Sequence, residues 1–182
     1  MGRFRQIFWL CRKILRRFSL TKYYSILPEH NVVRICKASC VQNNEIQPTA
    51  FEPRHAEDYL SVHWIEYIKQ KTSLAEGVGL VRDFLLEHSQ FEKEFKPTAK
   101  GKLAVLRVGE LVDFTKDGKT TGFVCKHMPR EKNGPKFGEQ YDFRTAGFDP
   151  HSGIFTLPLE GAELLAVQQY LISKIIYSEP GK

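Results

Sequence analysis

The sequence predicts an α+β domain, in which a small mixed or antiparallel sheet is flanked by helices. β-branched segments bounded by turn residues predict the strands, and segments with a 3.6-residue apolar period predict the helices. Strands and helices do not alternate as regular βαβ units, which favours α+β over α/β. The chain has 182 residues, of which 42% are hydrophobic and 26% charged, a normal balance for a globular domain. We predict two parts, an N-terminal arm over residues 1–20 and a single body domain over residues 21–182.

Residues 1–20, which we call the basic arm, have the pattern of an amphipathic helix. Trp9 departs from this pattern because it falls on the polar side. A basic amphipathic helix with bulky aromatic side chains suits an anionic membrane surface or an acidic partner. The apolar face comprises Phe4, Ile7, Phe8, Cys11, Ile14, Leu15 and Phe18, and the basic face comprises Arg5, Arg12, Lys13, Arg16 and Arg17.

The net charge of the chain is concentrated in the basic arm. The whole sequence carries 27 Lys and Arg against 21 Asp and Glu, a formal net charge of +6. The arm holds six basic residues and no acidic residue, so the body carries 21 of each sign and is formally neutral. A neutral body argues against a nucleic-acid-binding surface spread over the whole domain, which would need an excess of Lys and Arg.

Three interpretations of the basic arm are open from the sequence. It could be an interfacial membrane helix, a terminal helix packed on the body, or a targeting or nucleic-acid-contacting segment, including a mitochondrial-type presequence. A secretory signal is disfavoured because Arg12, Lys13, Arg16 and Arg17 interrupt the stretch that would have to be apolar. No stretch approaches ~18 uncharged apolar residues, which argues against an ordinary transmembrane helix.

The first half of the body contains a predicted strand, an undecided segment and a predicted helix. Residues 31–37 are β-branched and strand-like. Residues 59–68 fit both states, because their apolar residues alternate like a strand while Ser61 could cap a helix. Residues 74–88 have an apolar face at helical spacing, which predicts a helix.

The second half of the body begins with a predicted hairpin over residues 102–126. Residues 102–114 are apolar and strand-like, and residues 120–126 supply the returning strand. Asp117 and Gly118 lie between them, and this dipeptide supplies the positive φ that a tight turn needs.

A long loop, a short strand and a closing helix complete the predicted body. Residues 128–141 contain two prolines and two glycines without an apolar period, which indicates the kind of loop that often carries a site. Residues 153–157 predict the last strand. The apolar period over residues 161–177 predicts a C-terminal closing helix.

Cysteine usage predicts a reducing compartment and therefore a cytoplasmic location. Four thiols without a secretory signal do not form a disulfide framework in a chain of this length. Cys36 and Cys40 would lie about 13 Å apart on one strand, and Cys125 and His127 about 7 Å apart, which is wide for one metal ion. We therefore predict buried thiols rather than a metal site, and the sequence identifies no cofactor.

Two histidines border the predicted loop, which makes it the most site-like region of the sequence. His127 and His151 could converge, one as a general base and the other as a general acid. Arg34 and Arg144 would then hold an anionic group of the substrate. The structural alternative is that Asp149 and the residues after it are ordinary turn residues that bond the backbone.

Short motifs along residues 28–160 resemble those of a group of short bacterial proteins. They are Val33-Arg-Ile-Cys36, Ala50-Phe51, Leu60-Ser-Val-His-Trp-Ile-Glu66, His127-Met-Pro129 and His151-Ser-Gly-Ile154. The resemblance brings no activity with it, and the basic arm lies outside it. It implies that the following residues belong to one site: Arg34, Phe51, Ser61, Trp64, Glu66, His127 and His151. Phe51 and Trp64 are also natural core anchors, which is the structural alternative.

These observations predict a non-enzymatic binding or accessory module of a bacterial multi-protein system. Its contact with an anionic membrane surface or an acidic protein would be made by Arg5, Phe8, Trp9, Arg12, Lys13, Arg16 and Arg17. One alternative is a small enzyme acting on a phosphate-bearing or nucleotide-like substrate. Its catalytic residues would be His127 and His151, and its ligand-binding residues would be Arg34, Ser61, Trp64, Glu66 and Arg144. A second alternative is a nucleic-acid-contacting protein that binds backbone phosphates through the basic arm.

Overall fold

The computed structural model describes most of the body of the chain. The described residues are 25–53, 59–67, 73–87, 96–111, 114–116, 119–120, 122–128, 150–155 and 161–182. Within them the chain combines a six-stranded antiparallel sheet with helices, which confirms the α+β class. The predicted amphipathic helix over residues 1–20 and most of the predicted loop over residues 128–141 lie outside the described residues.

Six strands form the main sheet: β1 (Asn31–Cys36), β4 (Tyr59–Trp64), β5 (Lys102–Arg107), β8 (Val124–His127), β9 (His151–Phe155) and β10 (Ile175–Pro180). Their order across the sheet is β10-β5-β1-β4-β9-β8. Two small hairpins pair β2 (Val41–Gln42) with β3 (Glu45–Ile46), and β6 (Thr115–Lys116) with β7 (Lys119–Thr120). The helices are α1 (Leu74–Glu87), α2 (Val108–Leu111) and α3 (Ala162–Ser173), with 3₁₀ turns at Ala38–Cys40 and Pro48–Phe51.

The strands β1 and β5 are neighbours in the interior of the sheet and supply much of its buried apolar surface. Val32 and Val33 of β1 and the run Leu103, Ala104, Val105 and Leu106 of β5 are all fully buried. A strand that is covered on both faces has a continuous run of apolar residues in its sequence, rather than alternating apolar and polar residues. The two strands pair along their whole length, so their packing defines the core.

Helix α1 is attached to the edge of the sheet through an ion pair. Its buried side chains recur at helical spacing, as the sequence predicted. Arg82 Nη1 of α1 lies 3.1 Å from Glu179 Oε1 of β10. The Tyr177 hydroxyl donates to the other oxygen of Glu179 over 2.8 Å, and this bond raises the pKa of Tyr177.

The predicted hairpin over residues 102–126 is wrong. β5 pairs with β1 and β10, whereas β8 pairs with β9. A nearly continuous apolar run such as that of β5 favours an interior strand, whereas the half-exposed β8 is the last strand of the sheet. Between them the chain forms α2 and the small hairpin of β6 and β7. Its register pairs Thr115 with Thr120 and Lys116 with Lys119, and the Asp117-Gly118 dipeptide, where the sequence predicted a turn, lies outside the described residues.

The C-terminal helix is shorter than predicted, and a strand follows it. α3 ends at Ser173, and Ile175, Ile176 and Tyr177 begin β10. β-branched and aromatic residues favour a half-buried strand, and pairing with β5 outweighs the continued apolar period. The undecided segment over residues 59–68 is also settled, because β4 covers Tyr59–Trp64.

Candidate functional site

One end of the main sheet collects most of the side chains that the sequence singled out. β1 and β9 begin at this end, and β4 and β8 finish there, because neighbouring strands run antiparallel. We call it the histidine end. It carries all the histidines of the described residues, which are His30, His63, His127 and His151.

His127 and His151 lie on opposite faces of the sheet. His127 pairs across the strands with the residue that follows His151, and successive residues of a strand point to opposite faces. Their contacts agree with this. The His127 ring lies 4.3 Å from the Tyr67 ring and 5.6 Å from the Trp64 ring, whereas the His151 ring lies 5.9 Å from the His63 ring. The two histidines therefore do not converge in one cleft, as a shared acid–base pair would require.

Ser61, His151 and the backbone of Met128 form a hydrogen-bonded chain on one face. Ser61 Oγ lies 3.0 Å from His151 Nε2, and His151 Nδ1 lies 2.7 Å from the Met128 carbonyl oxygen. A carbonyl oxygen only accepts, so Nδ1 carries a proton; in the tautomer with that proton alone, Nε2 accepts from the hydroxyl. This is the arrangement of an oriented base beside a hydroxyl group.

The hydroxyl of that chain is closed off from solvent. Ser61 is 5% exposed and His151 2% exposed. Gly153 pairs with Ser61, and a Cβ atom at Gly153 would lie 2.8 Å from Tyr59 Cδ2 and 3.0 Å from Met128 Sδ. Neighbouring side chains thus close over β9 at this point. The Ser61 hydroxyl and the His151 ring therefore satisfy each other's hydrogen-bonding capacity inside the sheet.

The opposite face of the histidine end carries a cluster of aromatic rings. Trp64 is at its centre, with ring centroids of His30 and Tyr67 each 5.4 Å away. His127 completes the cluster and is 2% exposed. The rings contact one another at ordinary packing distances, so they fill the space between them rather than line a cavity.

Glu66 joins the start of β1 to the segment that follows β4. Its carboxylate accepts from the backbone N–H and from the side-chain Nδ2 of Asn31, both over 2.7 Å. The Ile65 N–H donates back to the Asn31 carbonyl over 3.0 Å. Glu66 therefore extends the pairing of β1 and β4 beyond the ladder, as a charge-assisted bond can.

Arg34 uses its guanidinium group to hold three backbone carbonyls. Nε donates to Ala50 O over 2.9 Å, Nη1 donates to Ser61 O over 2.7 Å, and Nη2 lies 3.4 Å from Glu52 O. These bonds tie β1 to β4 and to the turn at Pro48–Phe51. Arg34 thus has a structural role in the described residues, and its role in holding an anion stays a prediction.

The residues that the bacterial resemblance grouped are linked through the sheet rather than around a pocket. Ser61 is the shared member, because its carbonyl binds Arg34 and its hydroxyl binds His151. Phe51 is 1% exposed and belongs to the hydrophobic core. Trp64 is likewise buried, so both aromatic residues act as core anchors.

Two parts of the predicted site lie outside the described residues. One is Arg144, which was predicted to bind a ligand. The residues of the basic arm are the other: Arg5, Phe8, Trp9, Arg12, Lys13, Arg16 and Arg17. Across the part of the chain that the structure describes, no helix is long and apolar enough to cross a membrane.

Sequence reasoning missed His63, Tyr67 and Asn31 as members of the histidine end. His63 had a usable signal, because it stands two residues after Ser61 and such residues share a face of a strand. Tyr67 and Asn31 had none, because their positions depend on which strands pair and in what register.

The thiols of Cys36 and Cys125 are buried and that of Cys40 is partly buried, and the pKa of each buried thiol is strongly raised. Burial raises the pKa of Cys36 and of Cys125 to about 12 each. Because these values lie above the unfolded pKa of about 8.5, the two thiols stabilise the fold below that pH. This stabilisation is lost as the pH rises towards 12. Among the described residues, no group of three or more His, Cys, Asp or Glu is placed to hold a metal ion.

We expect Cys40 to react with iodoacetamide at pH 8 at least about tenfold faster than Cys36 or Cys125 in the folded protein. Cys40 is partly exposed, whereas burial keeps the other two thiols protonated. Peptide mass spectrometry after timed quenching measures the three rates separately. Labelling in urea is the control and should make the rates similar. Equal rates in the folded protein would contradict the burial of Cys36 and Cys125.

The chain was compared with known proteins at the levels of family, sequence and structure. It matches no protein-family model, no curated protein and no solved structure. Residue chemistry and geometry therefore carry the functional proposal.

Proposed function

We propose that this protein is a non-enzymatic binding module that attaches to an anionic membrane surface through its basic arm. The observation that carries the proposal is the separation of charge along the chain. Residues 1–20 hold six basic and no acidic residues, while the rest of the chain has as many acidic as basic residues. A basic amphipathic segment on a neutral body is suited to anionic lipid, to which each Lys or Arg near the surface contributes about 1 kcal/mol.

In the body, polar side chains of the predicted site bond to the backbone and to one another, which supports a binding role rather than a catalytic one. Arg34 binds three backbone carbonyls, and the Glu66 carboxylate holds Asn31 by two bonds. Ser61 and His151 bond one another in the buried sheet. These groups hold neighbouring strands and turns of the body together.

The enzymatic alternative has less support from the geometry. His127 and His151 face opposite sides of the sheet, and the Ser61–His151 pair is closed to solvent. The nucleic-acid alternative shares the charge argument with the membrane proposal, since backbone phosphates also attract a basic arm. An acidic protein partner shares it as well. The experiment must therefore present each kind of partner separately.

We expect neutralising three arginines of the arm to weaken vesicle binding about a hundredfold. The variant Arg12→Gln, Arg16→Gln and Arg17→Gln removes three positive charges from the arm. The matched control removes three exposed charges from the body, by Lys100→Gln, Arg107→Gln and Lys182→Gln, and should bind like the unchanged protein. The measurement is co-sedimentation with phosphatidylcholine vesicles containing about 30% phosphatidylglycerol, compared with pure phosphatidylcholine.

Deletion of residues 2–20 gives the decisive outcome. Loss of binding to the anionic vesicles supports the proposal, as does weaker binding of the unchanged protein in about 0.5 M salt than in 0.1 M salt. Equal binding with and without residues 2–20 overturns it. Binding to a short DNA duplex, without binding to vesicles, also overturns it in favour of the nucleic-acid alternative. Absence of binding to anionic vesicles at low salt overturns it in favour of a protein partner.

A further inference from the structure

Three side chains from three neighbouring strands stand in line across one face of the main sheet. Tyr59 of β4 pairs with Phe155 of β9, and Phe155 pairs with Val124 of β8. Directly opposed residues of antiparallel strands point to the same face, where their side chains touch. The rings of Tyr59 and Phe155 are 5.4 Å apart, which agrees with this placement.

Leu27 extends the line beyond the last strand. Ser25 forms an antiparallel bridge with Lys126, and the Ile26 N–H donates to the Cys125 carbonyl oxygen over 2.9 Å. Leu27 lies two residues after Ser25 and Val124 two residues before Lys126, so both flank this antiparallel bridge. We call the four residues the apolar row: Leu27, Val124, Phe155 and Tyr59.

The apolar row is open to solvent at its outer end. Leu27 is 44% exposed and Val124 45% exposed, and Phe155 and Tyr59 are partly buried. Among the described residues four large hydrophobic side chains are exposed, and these two flank the same bridge, that of Ser25 with Lys126. The others, Leu165 and Ile176, lie on α3 and β10. Neighbouring exposed apolar side chains mark an interaction surface more strongly than single ones do.

The basic arm joins the body beside this row. The bridge of Ser25 with Lys126 fixes the chain at the outer edge of β8, directly after the arm and a connector. Residues 21–24 separate the arm from that bridge, and four residues span at most about 14 Å. Lys126 is partly exposed and shares a face of β8 with Val124, so a cationic group accompanies the apolar row.

We infer that the apolar row is a second lipid contact of the body, and this inference rests on the proposed membrane attachment. The row continues the chemistry of the arm, which combines apolar side chains with positive charge. One weak contact gives only marginal and reversible attachment to a membrane, whereas two contacts give stable attachment. Two contacts also fix the orientation of the body, with the face that carries Val124 directed towards the lipid.

The test removes apolar surface from the row and, as a control, equal surface elsewhere. The row variant is Leu27→Gln with Val124→Thr, and the control variant is Leu165→Gln with Ile176→Thr, at positions of similar exposure. We expect the row variant to partition about tenfold less into vesicles containing phosphatidylglycerol, and the control variant to change by less than about twofold. Thermal unfolding of each variant establishes that it is folded before binding is measured.

A second measurement does not depend on the stability of the row variant. Val124→Cys and Leu165→Cys are each labelled with an environment-sensitive fluorophore, in a chain whose Cys11 and Cys40 are replaced by serine. We expect vesicles to shift the emission of the label at position 124 to shorter wavelength and to leave the label at position 165 unchanged. Equal shifts at both positions, or none at position 124, would overturn the inference.

The outcomes separate this inference from the proposed function. If deletion of residues 2–20 abolishes vesicle binding but the row variant binds like the unchanged protein, the inference fails and the proposed function stands. If the deletion has no effect on vesicle binding, the proposed function itself fails. If sedimentation shows a dimer that the row variant dissociates, with vesicle binding unchanged, the row contacts a second copy of the chain and the inference is overturned.

Discussion

Replacing Gly101 with alanine is expected to lower the free energy of unfolding by about 3 kcal/mol. Gly101 is buried where β5 begins, and a Cβ atom there would lie 2.6 Å from the Cys36 carbonyl oxygen and 3.1 Å from Thr98 Oγ1. The closest atom belongs to the backbone of β1, which cannot rotate away as a side chain can. Relief would require β1 and β5 to move apart, although their pairing forms the centre of the core.

Gly79→Ala is the matched control for Gly101→Ala. Gly79 lies inside α1, and among the described residues its Cβ atom would come nearest to Arg82 Nη2, at 3.6 Å, an ordinary contact. Alanine in a helix interior is favoured over glycine, so we expect a gain of about 0.5–1 kcal/mol. Urea denaturation followed by circular dichroism measures both variants. A change of less than about 1 kcal/mol for Gly101→Ala would contradict the close approach of β1 and β5.

Replacing Arg34 with alanine is expected to lower the free energy of unfolding by about 4 kcal/mol. Two of its bonds are short and join the charged group to the carbonyls of Ala50 and Ser61. A hydrogen bond to a charged group contributes about 1.5–3 kcal/mol, and each carbonyl left without its donor adds a desolvation cost. The third bond, to Glu52, is long and exposed and adds little.

Arg34→Lys separates the geometry of the guanidinium group from its charge. Lysine keeps the positive charge but cannot present several donors in a fixed plane, so we expect it to recover less than half of the loss. Arg107→Ala on the neighbouring β5 is the control, because Arg107 is exposed and its loss should change the free energy by less than about 0.5 kcal/mol. Stability of Arg34→Lys equal to that of the unchanged protein would show that charge alone matters at this position.

The sequence correctly predicted those strands and helices whose formation depends mainly on their own residues. The strand at Asn31–Cys36 and the helix at Leu74–Glu87 were both predicted within a residue at each end. The short strands Thr115–Lys116 and Lys119–Thr120 pair on either side of the Asp117-Gly118 dipeptide, whose local preference predicted a tight turn. The hairpin over residues 102–126 was wrong because the partner of a strand is chosen by burial across the whole sheet, which local propensity does not encode.

The candidate site shows the same division between local and distant information. The alternation of Ser61 and His63 along β4 could be read from the sequence, because it depends only on the pleat. The placement of His127 and His151 on opposite faces could not, because it depends on the register between β8 and β9. A shift of one residue in that register would bring both histidines to one face. The concentration of positive charge in residues 1–20 could be read from the sequence alone.

The order of strands in the main sheet also determines how the chain must fold. Val33 pairs with Val105 and His63 pairs with His151, so adjacent strands come from distant parts of the sequence. Contacts of this kind slow folding towards milliseconds to seconds, because long loops must close before any pairing stabilises them. During synthesis at about 5–20 residues per second, β4 emerges several seconds before β9. Until β9 is made, the edge of β4 that pairs with it has no partner, and such an edge is open to pairing with another chain.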